Sequence, residues 1–496
     1  MKKFLCFLLG ACAATVFAAA PASPPATSGL RAGAATSNIT PILGAIIVGG
    51  FAPYPSEHVH DELHARCLVL DDGKTKIALV VCDVLGMHRS VSVEARRLIH
   101  AATGIPPENV LISATHTHSA GSVVGENRYL SDQVLDENQR FTARRIADGV
   151  RRAANLLRPA EIAFGTVEIP EHVNNRRWHM REGSKGLLNP FGKMDKVKTN
   201  GPSGSPEMIE PAGPTDPTVS FIAVREPNGR LISVYSAYSL HYIGGVGARH
   251  ISADYYGAYC EALKRLQPAA GDAPFVAIMA NGTSGDINNT DFRQARPRKP
   301  PYQHLQDVGN DVATKVNAAV AGVTWQKSAE LGARYREAPI AWRPVEAELL
   351  AWAKDVEAKA PRLPKGDIPV GAKWPTTPDW VQKVSYAGRV QLLAQAGAQP
   401  AKAPLQILRI GDIGIGSIPC ETFVEIGLEF KKRSPFAHSF LVSIAHGYFG
   451  YLPTPRHFAL GGYETWPGTN YFEPQASVKM LDQLMEMAAD AKRSAR

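Results

Sequence analysis

Cysteine is scarce in this chain and poorly spaced for structural work. Six occur among 496 residues, and Cys6 and Cys12 fall within the apolar N-terminal stretch. The other four, Cys67, Cys82, Cys260 and Cys420, are scattered, which excludes a zinc knuckle and a disulfide-dense scaffold. Cys82 lies in "IALVVCDV" and reads as a buried thiol. Beyond the first twenty residues no run approaches the roughly 18 consecutive apolar residues of a membrane-spanning helix. There is no block of one charge either. The net charge is +8, but the basic residues are spread out and not interleaved with aromatics, which argues against a nucleic-acid partner. No internal repeat is visible.

What is present begins with a targeting signal. Lys2 and Lys3 precede an apolar run from Phe4 to Ala20, with small residues near Ala18 to Ala22 for cleavage, the pattern of a secretory signal peptide. Residues 1–20 are therefore read as the signal and residues 21–29, "PASPPATSG", as a linker. The mature protein is expected to be exported, periplasmic or secreted, with a net charge of +6 once Lys2 and Lys3 are gone. "LGAC", ending at Cys12, resembles a lipobox, but lipoprotein anchoring there would leave an unusually short signal.

From "LRAGAATSNITP" onward, short apolar runs alternate with amphipathic patterns. "KIALVVCDVLG" reads as a strand, "VSVEARRLIHAATG" as a helix closed by Gly104, and "NVLISAT" as a strand. "TVSFIAVREPNGRLISVYSAYSLH" reads as a hairpin turning at Asn228-Gly229. The fold class is α/β: a mixed sheet with flanking helices. Two regions interrupt the pattern. Residues 181–217 are rich in Gly, Pro and Lys, and residues 338–404 combine a helical pattern at "PVEAELLAWAKDVEAKA" with a Pro-punctuated stretch. The second is read as an irregular subdomain inserted into one catalytic domain spanning residues 30–496.

Polar residues at the carboxyl ends of strands are the natural candidates for a site in such a fold. His116 and His118 follow "NVLISAT", His241 follows "LISVYSAYSL", "NGTSGDINN" follows "PFVAIMA", Glu421 follows "IGIGSIPC", and Tyr451 follows "FLVSIAHGYFG". In extended backbone, residues two apart share a face, so His116 and His118 can converge on one ion or one substrate group. They can equally be hydrogen-bonded histidines at a strand end. His241 taken alone reads as structural, and Glu421 as a carboxylate at a helix start.

Several ordered motifs then resolve the picture: "RAGAATSNITP", "NVLISATHTHSA", "VNNRRW", "YSAYSLHY", "NGTSGDINN", "IPCETF" and "YFGYLPTP" followed by "GGYE". Together they resemble the neutral, non-lysosomal ceramidases, zinc amidases that cleave the N-acyl bond of ceramide. The resemblance implies zinc held by His116, His241, Glu421 and Tyr451. It implies His118, Arg176 and Tyr463 as groups that meet the substrate or the reacting water. Two imidazoles and one carboxylate leave zinc a net positive charge, the condition for acidifying a water.

The chain departs from the family pattern in two places. Where the family carries a serine beside the scissile amide, this chain has Asn288 in "GDINNT". An asparagine can donate a hydrogen bond to an oxyanion but cannot relay a proton. The chain also leaves no room after "YFEPQ" for the family's immunoglobulin-like C-terminal domain. The expectation is an exported zinc hydrolase acting on an amide, with an N-acyl lipid such as ceramide as the default small-molecule or lipid substrate. Peripheral contact with a membrane surface is allowed. A related metallohydrolase of a non-lipid ester, amide or glycan-derived compound is the alternative, and a non-catalytic binding protein on the same scaffold is a third reading.

Overall fold

Residues 29–50, 53–125, 133–268, 274–295, 299–360, 378–397 and 399–493 are described in a computed structural model. The expected signal peptide and nearly all of the linker lie outside them. No helix among these residues is long and apolar enough to cross a membrane.

The described chain runs through one arrangement three times. First come β1 (Arg31–Asn38), β2 (His64–Asp71), β3 (Lys76–Cys82), α1 (Arg89–Thr103), β4 (Val110–Ala114) and α2 (Glu137–Asn155). Then come β5 (Glu161–Glu168), β6 (Thr218–Arg225), β7 (Leu231–Tyr238), α3 (Asp254–Arg265), β8 (Val276–Asn281) and α4 (Gln303–Val320). The third pass is β9 (Leu331–Ile340), α5 (Ala347–Lys359), α6 (Pro378–Gln395), β10 (Ala401–Ile410), β11 (Ile413–Ser417), α7 (Val424–Arg433), β12 (His438–Val442) and α8 (Ala476–Arg493). In every unit the four strands lie side by side in chain order. The first three are antiparallel, and the fourth joins the third in parallel across a helix. The absence of a visible repeat in the sequence is thus corrected: topology repeats where residues do not.

Burial on both faces explains why the inner strands of each sheet read as continuous apolar runs. In β3, Ile77, Leu79 and Val81 face a core shared with the other two sheets, while Ala78, Val80 and Cys82 face the layer under α1 and α2. The shared core also takes Ile222, Ile232 and Ile278 from the second unit and Leu408, Ile415 and Phe440 from the third. Each sheet therefore covers the others with its inner face and is covered by its own helices on the outer face. Local signals act as expected. Val91, Ala95 and Ile99 form the buried stripe of α1, and Gly104 ends it in the left-handed conformation with its N–H on the His100 carbonyl. Asp136 and Gln139 form a capping box on α2. The Asn228-Gly229 turn joins β6 to β7, with Gly229 at φ 91°.

The topology also decides where the irregular regions go. A strand's end and its antiparallel neighbour's start share one edge. The link between the first and second strands of each unit therefore emerges beside the carboxyl ends of the third and fourth. Asn38 pairs with His64 while Ala65 pairs with Cys82, and Ile340 pairs with Ala401 in the third unit. The links are residues 39–63, 169–217 and 341–400. The region read as a subdomain over 338–404 thus begins and ends inside paired strands, since Ala338 pairs with Ala403. It is a two-helix excursion, α5 and α6, between β9 and β10. Its Pro-punctuated part, 361–377, lies outside the described residues.

A core shared by three sheets should unfold as one. Truncating buried Phe440 to Ala is expected to cost about 3–5 kcal/mol. Urea titration should show that loss as a single shifted transition in both circular dichroism and tryptophan emission, and separated transitions would contradict the shared core.

Candidate metal centre and active site

Each unit delivers a polar side chain to the same point from a strand end of its parallel pair. His116 leaves β4, His241 leaves β7 and Glu421 leaves β11. The strand ends are tied to one another: Ala114 N–H donates to the Ile444 carbonyl (3.1 Å), and Ser443 N–H donates to the Asn281 carbonyl (2.9 Å).

Hydrogen bonding sets the orientation of the imidazoles. His116 sits at φ 74°, a left-handed conformation that costs energy outside glycine. Its Nδ1 lies 2.7 Å from the Leu85 carbonyl. A carbonyl only accepts, so Nδ1 carries the proton and Nε2 presents a lone pair. His241 repeats this with Nδ1 at 3.0 Å from the Ser284 carbonyl. His118 hydrogen-bonds the Gly49 backbone and lies flat against Tyr242, ring centroids 3.6 Å apart. Its Nε2 is 3.1 Å from that of His116. The ligand atoms of His116, His118 and His241 all fall within 4.8 Å of one another.

Glu421 completes the cluster. Its Oε1 accepts the Tyr448 hydroxyl at 2.6 Å, leaving Oε2 at 3.1 Å from His116 Nε2 and 3.8 Å from His241 Nε2. Oε2 of Glu421 and Nε2 of His241 are both buried without a hydrogen-bond partner. Two orphaned acceptors facing each other are costly unless a cation lies between them. With outer nitrogens fixed by carbonyls, the donor set fits a divalent metal.

Beside the cluster stand the groups able to bind substrate. Arg176 Nε donates to Glu464 Oε1 (2.9 Å), and its terminal nitrogen donates to the Gly285 carbonyl (2.8 Å). Glu464 is fully buried and is also held by Arg177 and Thr199. The Arg176 guanidinium carbon is 5.3 Å from the centre of the Tyr451 ring, and the Tyr463 ring meets Tyr451 edge-on at 5.5 Å. Two adjoining cavities open onto the cluster. The inner one, about 90 Å³, is walled by His116, His118, Glu421, Tyr448, Tyr451 and Arg389 among others. The outer one, about 370 Å³, is walled by Arg176, His241, Tyr242, Lys198, Asn200 and Trp466 among others. Gly49, Gly50, Tyr451 and Tyr463 border both.

Burial governs the titration of these groups. It pushes His118 and His241 well below the ordinary histidine value, helped by neighbouring His116 and Arg176. It raises the Tyr451 and Tyr463 phenols, opposed by Arg176 and by Arg389 respectively. Burial acts to raise Glu421 too, while the Tyr448 hydroxyl, and any proton taken up by His116 or His241, acts to lower it.

The structure therefore brings together His116, His118, His241, Glu421, Tyr451, Arg176 and Tyr463. It places Asn288 elsewhere. That side chain donates to Asn200 Oδ1 (3.0 Å) and accepts from Thr290 N–H (3.1 Å), so Asn200, not Asn288, stands in the cavity wall. Sequence reasoning missed Tyr448, Tyr242, Glu464 and the Gly49 backbone. Tyr448 and Glu464 both lie within the motifs "YFGYLPTP" and "GGYE", but nothing in their spacing separates them from packing residues.

The family model described as neutral/alkaline non-lysosomal ceramidase, N-terminal, matches residues 31–296. Among solved structures, one titled "Ceramidase complexed with C2" aligns with TM-score 0.67 at 18% identity, over 94% of this chain and 76% of that one. The neutral ceramidase from Pseudomonas aeruginosa aligns with TM-score 0.62, also at 18% identity, over 94% of this chain and 75% of that one. At such identity the likeness is one of fold. No curated protein sequence matches the chain.

Two outcomes follow. Tyr448→Phe removes the bond that turns Glu421 Oε2 toward the imidazoles. Metal affinity should fall about 10–100-fold with circular dichroism unchanged, as read by competition with a fluorescent chelator. Because His118 and His241 are held neutral in the folded state, stability is fully present above the unfolded value of about 6.5. It declines as pH falls below that, where the unfolded chain binds more protons. The melting temperature of metal-free protein should drop steadily from pH ~7 to ~5, and a flat calorimetric profile would contradict this.

Proposed function

Because the chain belongs to the neutral/alkaline non-lysosomal ceramidase family, and is thus a ceramidase-like hydrolase, we propose that it is an exported, zinc-dependent amidase cleaving an N-acyl bond. The observation that carries this is the pair of orphaned acceptors, His241 Nε2 and Glu421 Oε2, buried face to face beside His116. His116, His241 and Glu421 hold the metal in this reading, with Tyr451 as a fourth contact. A zinc ion there supplies Lewis-acid activation of water and of the amide carbonyl.

The remaining residues bind, orient and move protons. Glu464 and the Gly285 carbonyl hold Arg176 so that its positive charge faces the cavity. That is the placement needed to stabilise oxygen charge developing on the carbonyl. His118, neutral and braced by Tyr242, can take a proton from water at Nε2 and return it. Tyr463, kept protonated by burial, can donate from its hydroxyl to the leaving nitrogen.

A ceramide-like N-acyl lipid is the default substrate on family grounds. Another amide or ester is the second reading, and a specific observation favours it. The turn that carries the family serine here carries Asn288, bonded to Asn200 in a polar wall that includes Lys198, Thr199 and Asp195. A silent binding protein is less consistent with intact ligand positions.

Elemental analysis of purified protein should find about one zinc per chain, lost in His116→Ala and Glu421→Gln; unchanged metal in both variants would sink the assignment. In metal-loaded protein, Arg176→Met should lower kcat by about 10²–10³ on whichever N-acyl substrate a screen of lipids, acyl amino acids and acylated sugars identifies.

A further inference from the structure

A third cavity, an open groove, continues the site outward. About 550 Å³ in volume, it is bounded by Asn189 and Phe191 of the second link, by Arg343, Glu348 and Trp352 of the third, and by the loop after Tyr463. It meets the outer cavity at Asp195 and Trp466, which wall both. Those two side chains are tied together: Trp466 Nε1 donates to Asp195 Oδ2 at 2.8 Å, and the Asn189 amide donates to Asp195 Oδ1 at 3.1 Å. Room therefore widens away from the metal centre, from about 90 Å³ beside His116 and Glu421 to about 370 Å³ and then about 550 Å³.

Aromatic rings run along this path. Centre to centre, Tyr463 lies 5.9 Å from Trp466, Trp466 lies 6.3 Å from Phe191, and Phe191 lies 5.1 Å from Trp352, each pair edge-on. Phe191, Trp352 and Trp466 are half-buried and line the groove. Between the rings the wall is polar. Lys198, Thr199 and Asn200 line the outer cavity, and in the groove Lys193, Lys196 and Arg343 stand against Asp195, Glu346 and Glu348. Charges of both signs in equal number select no net charge.

This mixture distinguishes two kinds of occupant. An alkyl chain laid over these side chains strips water from carboxylates, amides and ammonium groups and returns no hydrogen bond, a cost at every group covered. A sugar ring does the opposite. Its C–H face is apolar and packs on an aromatic ring, while its hydroxyls radiate from the edge as donors and acceptors.

Resting on the amidase reading above, we propose that the outer cavity and the groove form a glycan-binding track, so that the substrate is an oligosaccharide carrying an N-acylated amino sugar. The acyl group lies toward the metal centre, and the sugars extend outward past Trp466 to Trp352. Hydrolysis breaks the bond between the acyl carbon and the sugar nitrogen. The hydroxyl of water goes to the acyl carbon and its remaining hydrogen to the nitrogen, giving a free acid and a free amino sugar.

Metal-loaded wild type, Trp352→Ala and Trp352→Tyr would be compared after circular dichroism and melting establish folding. Trp352→Tyr keeps a ring and serves as the test should the alanine variant prove unstable. The first measurement is binding by calorimetry, using N-acetylglucosamine, its β-linked dimer and tetramer, and a short-chain ceramide. In wild type, affinity should rise about tenfold or more from monomer to tetramer. Trp352→Ala should lose that gain and Trp352→Tyr should keep part of it. Absence of a length dependence in wild type, an unaltered gain in Trp352→Ala, or ceramide binding that Trp352→Ala weakens overturns the proposal, the last by making the groove a lipid track. The second measurement is acetate release, where the ratio of kcat/KM for tetramer over monomer should fall about tenfold in Trp352→Ala, through KM. Length-dependent glycan binding without hydrolysis of any amide leaves the track standing and defeats the amidase reading. Hydrolysis of a lipid amide without glycan binding does the reverse.

Discussion

A carboxylate and three imidazoles cannot share a dry pocket without compensation. Desolvation opposes the charge on Glu421, and burial keeps His118 and His241 neutral. The surroundings answer this by giving every outer position a partner: the Leu85 and Ser284 carbonyls, the Gly49 backbone and the Tyr448 hydroxyl. What remains unpartnered points inward, and a divalent cation at the centre would satisfy it. The left-handed backbone of His116 is strain of the kind that surrounding structure must over-determine. Here it does so through the His116 N–H bond to the Val84 carbonyl and the Nδ1 bond to Leu85.

Three sheets that share a core must bring equivalent edges together, and the centre lies where the carboxyl ends of their parallel pairs meet. The same geometry explains why long, compositionally odd segments border it. A link between antiparallel neighbours opens on that edge, so length added there extends the wall without disturbing a strand. Glycine permits a close approach. At Gly285 a Cβ would lie 2.5 Å from the Glu421 carbonyl oxygen, so the turn after β8 packs directly on the backbone of Glu421.

The links supply Gly49, Arg176, Lys198, Asn200 and Arg389 to the walls around the cluster. Arg176 is clamped by buried Glu464, which is itself shared with Arg177 and Thr199. Removing that carboxylate would leave two buried guanidiniums unpaired, a larger loss than the bond itself. Asn288 bonds Asn200 of the wall and pairs with Asn174, two residues before Arg176.

His116, His118, His241 and Glu421 are legible in the residues as candidates, because a polar residue after a buried strand in an α/β chain falls on the ligand-binding edge; their reading as a metal set came from the family resemblance. Strand runs, caps and the Asn228-Gly229 turn are legible for similar local reasons. The threefold repetition is not, since strands buried on both faces demand only apolar residues and retain no common motif. Tyr448 is also hidden: its contact is with Glu421, 27 residues away along the chain. Sequence alone determined which residues could carry the chemistry. The tertiary structure decided their orientation and which distant side chains complete the wall, because hydrogen bonds and close packing between units set both.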